Sequence, residues 1–165
     1  MKHLFLVLLL ALSAAAQSTS SSQPEAKKPG EIFNEVADSA LAAMTKQAEE
    51  LKIKGAAVVA YVDGDTTKSW SSKMVVVGTM TTKPTEKRKG DNLLGVAYSK
   101  AAEMADTLKD SGKAGRPPMT GETGFQGGLI LKCKTGYLIA AFSGGPSALD
   151  LKVSQAGLKV LAEKL

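Results

Sequence analysis

Two apolar runs separated by only three residues constrain this chain more than any other feature. Gly128 to Cys133 and Tyr137 to Phe142 read as strands, and Lys134-Thr135-Gly136 is all that lies between them. A parallel crossover needs about a dozen residues or more, so the two runs must pair as an antiparallel hairpin. The same logic applies upstream. Ala56 to Val62 is apolar without helical period and ends at Asp63-Gly64-Asp65, so it reads as a buried strand and turn. Lys68 to Val77 then pairs back on it. Trp70 and Met74 stand an even number of residues apart and share one face of that strand.

Three helical patterns surround the hairpins. Phe33, Val36, Ala40, Met44, Ala48 and Leu51 recur every three or four residues, predicting a helix over 31–52 that Gly55 closes in the left-handed conformation. A second helix is capped by Asp91 or Asn92. Its apolar face carries Leu94, Ala97, Ala101, Met104, Ala105 and Leu108, and it stops before Gly112. The third follows Ser143-Gly144-Gly145-Pro146-Ser147 and carries Leu149, Val153, Ala156 and Val160. The order helix, hairpin, helix, hairpin, helix predicts an α+β domain with one mainly antiparallel sheet and helices packed on it. Two polar connections, 78–91 and 111–126, separate the elements, and the longer one is of a length that either lines a pocket or wraps the core.

The N-terminus is read as a leader, outside the fold. Lys2 and His3 precede the nine-residue apolar run Leu4 to Leu12, and Ala14-Ala15-Ala16 supplies small residues for cleavage after Ala16. That run is too short for a bilayer span, which takes roughly 20 apolar residues, so stable membrane insertion is not expected. Periplasmic or secreted localisation follows. Residues 1–16 are therefore expected to be a signal peptide and residues 17–30, rich in Ser, Gln, Lys and Pro, a flexible tether, with the folded domain over 31–165.

Removing the leader changes the available chemistry. His3 is the one histidine of the chain, so a histidine triad, base or metal ligand is excluded from the exported form. Cys133 is the one cysteine, which rules out an internal disulfide and a paired-cysteine zinc site. With 44% hydrophobic and 22% charged residues the chain can build a core. Its formal charge of +5 is modest, and the basic loop Lys83 to Lys89 has no interleaved aromatic residues, so no nucleic-acid partner is expected; the loop reads as solvated, with an anionic partner as the alternative.

Gly127-Gly128, a strand, Gly136, a strand, Ser143-Gly144-Gly145, Asp150 and Ala156-Gly157 follow one another in the order and spacing of a known pattern. With Val62-Asp63-Gly64 and the helix motif Ala97, Lys100-Ala101, they resemble the GlcG/HbpS-like family, also described as the haem-binding or haem-degrading domain family. The resemblance covers roughly residues 34–162. It implies a profilin-like α+β fold, homo-oligomerisation, and a haem or other small-molecule ligand as cofactor or cargo. Lacking histidine, the exported form would offer haem iron only Cys133, a Met such as Met74, Met80, Met104 or Met119, a Tyr such as Tyr61, Tyr98 or Tyr137, or no ligand at all.

The candidate ligand-binding residues are Lys100, Ser143, Gly144, Gly145, Asp150, Trp70 and Met74, with Cys133 as candidate metal ligand. Each has a plain structural alternative. The Ser143-Gly144-Gly145 turn before a helix offers backbone N–H groups to an anion, or is merely a strand-to-helix turn that Ser147 and Asp150 cap. Lys100 reaches a pocket rim, or is an exposed helical lysine. Trp70 and Met74 floor a flat pocket or belong to the core. Cys133, between Lys132 and Lys134, is reactive or simply a small buried hydrophobe. Two functional classes follow: an exported module that binds haem or a similar small ligand, and an enzyme acting on such a ligand through Lys100, Cys133 or a carboxylate.

Overall fold

The computed structural model describes residues 26–165. The proposed signal peptide and the tether as far as residue 25 lie outside the described residues. The elements are α1 (Pro29–Glu50), β1 (Gly55–Asp63), β2 (Trp70–Val77), α2 (Leu93–Thr107), β3 (Gly128–Lys132), β4 (Gly136–Ser143) and α3 (Ser147–Ala162). Both hairpins form, and they join into one sheet of order β2-β1-β4-β3, antiparallel at every pairing. The domain is α+β, as the alternation of hairpins and helices predicts.

The unbroken apolar run of β1 is explained by burial on both faces. Ala57, Val59 and Tyr61 face α1 and α3, together with Leu138, Ala140 and Phe142 of the neighbouring β4. Val58, Ala60 and Val62 face α2, with Ile139 and Ala141 beside them. Period-2 alternation therefore sorts the two central strands between two cores, and each core takes the apolar stripe of its own helices. Helices α1 and α3 meet closely at Gly157, where a Cβ would stand 2.5 Å from Met44 Sδ.

Helix ends depart from expectation in three places. Helix α1 starts at Pro29, so the tether does not extend to residue 30; proline fits the first helical position because its missing N–H would be unpaired there anyway, and the Lys28 N–H donates to Glu31 Oε2 at 3.1 Å. Its exit uses Lys52, with φ of 55°, in place of Gly55. Gly55 instead opens β1, where a Cβ would collide with the Ser143 carbonyl. In α2, Asn92 is the cap, its Oδ1 accepting the Gly95 N–H at 3.0 Å. Leu108 leaves the helix at φ 53° and is 37% exposed, so Leu93, not Leu108, completes the buried stripe.

Candidate functional site

The site forms where α2, the end of β4 and the start of α3 converge. Lys100 lies on the inner side of α2 and is 2% exposed, which corrects its reading as an exposed helical lysine. Its Nζ donates to the Phe142 carbonyl at 2.7 Å and to Asp150 Oδ2 at 2.9 Å. Asp150, equally buried in the first turns of α3, turns its other oxygen to accept the Gly145 N–H at 2.9 Å. A lysine can face the interior here because two acceptors meet its charge.

This arrangement revises the anion-site reading of the glycine turn. An anion does sit against Gly145, and it is the protein's own Asp150 carboxylate. Nor does Asp150 cap α3, whose N-cap is Pro146 without a side-chain hydrogen bond; from inside the helix it braces the turn that precedes it. Burial pushes the Asp150 carboxyl above the usual carboxylate range, while the Lys100 charge and the Gly145 and Gly144 N–H groups pull it back. Burial likewise lowers the Lys100 ammonium, and Asp150 opposes that shift. Both groups have exchanged water for each other, so their charges are held by mutual contact and not by solvent.

Gly127 is what lets the pair close. Its φ is +129°, and a Cβ would fall on Lys100 Nζ and stand 2.8 Å from Asp150 Cβ. The Gly127 carbonyl accepts from Ser154 Oγ at 2.6 Å and from the Phe142 N–H at 3.2 Å, which ties the start of β3 to α3 and β4. Only glycine combines that backbone conformation with that approach.

Above the pair opens a cleft of about 300 Å³. Lys100, Ser143, Gly144, Gly145 and Asp150 line it together, so five of the eight residues singled out from the sequence share one site. Arg88 and Asp91 from the 78–91 connection stand at its edge, Leu93 and Val96 of α2 form one wall, and Phe125 with Gln126 closes the end of the long connection. Arg88 Nη2 contacts Asp91 Oδ2 at 3.4 Å, both side chains being exposed. Such a pair contributes little and leaves the guanidinium free to take a better acceptor.

The other three residues lie elsewhere. Trp70 packs on the α2 face with its ring centroid 6.4 Å from that of Tyr98, and Met74 joins the same cluster. They share a face as the spacing predicts, and that face belongs to the core side of the sheet edge; neither lines the cleft at the glycine turn. Cys133 sits in the β3–β4 turn, packed against the α1 and α3 side, with Thr135 Oγ1 4.0 Å from its Sγ. The eight residues of β4 separate it from the glycine turn, about 26 Å at the rise of an extended strand. Among the described residues no three His, Cys, Asp or Glu side chains gather as a metal site, Cys133 included.

Arg88 and Phe125 were not singled out from the sequence, and Gly127 was named only as part of a motif, without its role. Arg88 was hidden in a basic loop that reads as solvated, and Phe125 in a connection without period. The Gly127-Gly128 pair carried a signal, since adjacent glycines before a strand mark a close backbone approach.

No family model matches the chain, and no curated protein matches it. Among solved structures, the chain is similar to a double mutant of Streptomyces reticuli HbpS, with a TM-score of 0.46 and 19% identity, covering 92% of this chain and 97% of that one. Among the described residues, no helix is long and apolar enough to cross a membrane.

Proposed function

We propose that this chain is an exported binding module that holds a small organic acid in the cleft beside the Ser143-Gly144-Gly145 turn, and that it works by occupancy and not by turnover. One observation carries the reading. The cleft combines an under-used guanidinium, Arg88, with apolar walls from Leu93, Val96 and the 57% exposed Phe125, over a floor whose charges are already paired. A carboxylate on an apolar or planar body matches that distribution, because arginine recognises carboxylates through two parallel N–H donors. The satisfied floor favours binding over catalysis: Lys100 and Asp150 are engaged with each other and with backbone groups.

Haem enters through the family resemblance, and the cleft meets it only in part. The lining residues include no thiolate, thioether, phenol or imidazole, so none of the usual protein donors stands where iron would lie. Haem propionates would find Arg88 and the Ser147 hydroxyl. At about 300 Å³ the cleft stands at the lower end of small-molecule sites, which suits a ligand smaller than a tetrapyrrole. Export rests on the reading of residues 1–16, and self-association on the resemblance alone.

The test is a titration followed at the Gly145 and Ser147 amides by NMR, with benzoate and with haemin, the latter also watched at its Soret band. Saturable movement of both amides with benzoate is expected, weakened about tenfold in Arg88→Ala, the loss of one charge-assisted contact. Cys133→Ala should change neither ligand's response. Amides that stay still with both ligands, or that respond equally in Arg88→Ala, overturn the reading.

A further inference from the structure

A second cleft, separate from the proposed acid site, lies between α2 and the long connection that follows it. Its volume is about 440 Å³, and Glu103, Gly112, Ala114, Arg116, Pro117 and Pro118 are among its lining residues. Glu103 lies one turn after Lys100 on the buried side of α2 and is 1% exposed. Its Oε1 accepts the Gly112 N–H at 2.7 Å, which fastens the start of the connection to the helix. Its Oε2 is buried and has no hydrogen-bond partner among the described residues.

A buried carboxylate oxygen without a donor is expensive, and native folds rarely leave one so. The neighbouring cations are committed elsewhere. Arg116 divides its guanidinium between Glu122, at 2.7 and 2.8 Å, and Asp106, at 2.6 Å. Lys109 Nζ donates to the Ala114 carbonyl at 3.3 Å, and Lys113 pairs with Asp110. A donor from outside the described residues can meet the orphan oxygen, and because no cation of the described residues pairs with Glu103, a charged N–H donor would bind there more strongly than a neutral one. A metal ion is a poor match, because no second or third acidic ligand gathers there. Beside the carboxylate stand the proline rings of Pro117 and Pro118 and the methyl of Ala114, which suit a short hydrocarbon stem.

We infer that this cleft binds a small primary amine as its ammonium ion, the charged head on Glu103 Oε2 and the carbon chain against Pro117, Pro118 and Ala114. The site uses none of the residues of the acid cleft, so it stands or falls independently of the proposed function.

The experiment is an NMR titration of the protein with n-butylammonium chloride, read at the Gly112 amide, with sodium chloride and n-butanol as matched controls. A saturable shift with butylammonium alone is expected, at least tenfold weaker in Glu103→Gln, which keeps the acceptor for Gly112 and removes the charge. Ala114→Leu fills the apolar end and should weaken binding while leaving Glu103 intact, so the conclusion does not depend on one variant. No saturable shift, an equal shift with butanol, or undiminished binding in a folded Glu103→Gln protein overturns the inference.

Discussion

Lys100 and Asp150 show how much one buried pair can cost and still persist. Burial acts against both charges, and the signs follow. Asp150, raised above its unfolded value of 3.8, contributes stability that is complete below that value and is lost as pH rises through its folded pKa. Lys100, lowered from 10.5, contributes stability that is complete above 10.5 and is lost as pH falls through its folded pKa. Burial thus opposes the charged form of each group, and their mutual contact is what offsets that cost. Removing one partner strands the other: Lys100→Met should destabilise the fold by about 3–5 kcal/mol in urea titrations. Adding Asp150→Asn, which retains an acceptor for the Gly145 N–H, should recover most of that loss. Additive losses in the double variant would show that the two side chains do not act as a unit. Lys100 and Asp150 were both singled out in the sequence, and their mutual partnership was not, because 50 residues separate them and only the tertiary crossing of α2 over β4 and α3 brings them together.

At the scale of elements, the 111–126 connection is fastened by polar anchors and not by a core of its own. Glu122 receives two N–H groups of Arg116 and the Met119 N–H at 2.8 Å, which hold its carboxyl down at about 2. Because the folded value lies below the unfolded 4.5, this anchor is fully present above pH 4.5 and is lost as pH falls towards 2. Hydrogen exchange at the Met119 amide, corrected for its intrinsic pH dependence, should therefore lose protection across that window, and Glu122→Gln should remove the step. An unchanged profile in the variant would place the anchor elsewhere. Strands and helices were legible because their periods are strong: β1 and β4 are uninterrupted apolar runs, and α1 repeats its stripe over six turns. Their ends were less so. Lys52 and Leu108 take left-handed conformations that glycine would ordinarily fill, and Gly55 serves a close backbone crossing instead. The connections carried no period at all, which is why Arg88 and Phe125 could not be assigned to the cleft from sequence.

The whole molecule is a sheet with a core on each face, and its cleft lies at the edge where both hairpins have ended and α2 and α3 begin. Rigid elements thus supply the floor and one wall, and the two connections supply the rest. That division explains why the floor is fixed by buried bonds while Arg88 and Phe125, on the connections, are exposed and free to move. The proposed function requires ligand to occupy this cleft. Val96 lines it from α2, and its side chain is only partly buried, so Val96→Trp should fill the space without disturbing Lys100 or Asp150. The most direct measurement is the calorimetric isotherm of benzoate with the wild-type protein and with Val96→Trp, both checked for native amide dispersion. One-site saturable binding in the wild type and its loss in the filled variant are predicted. Binding of equal strength in both proteins, or none in the wild type, would contradict the account.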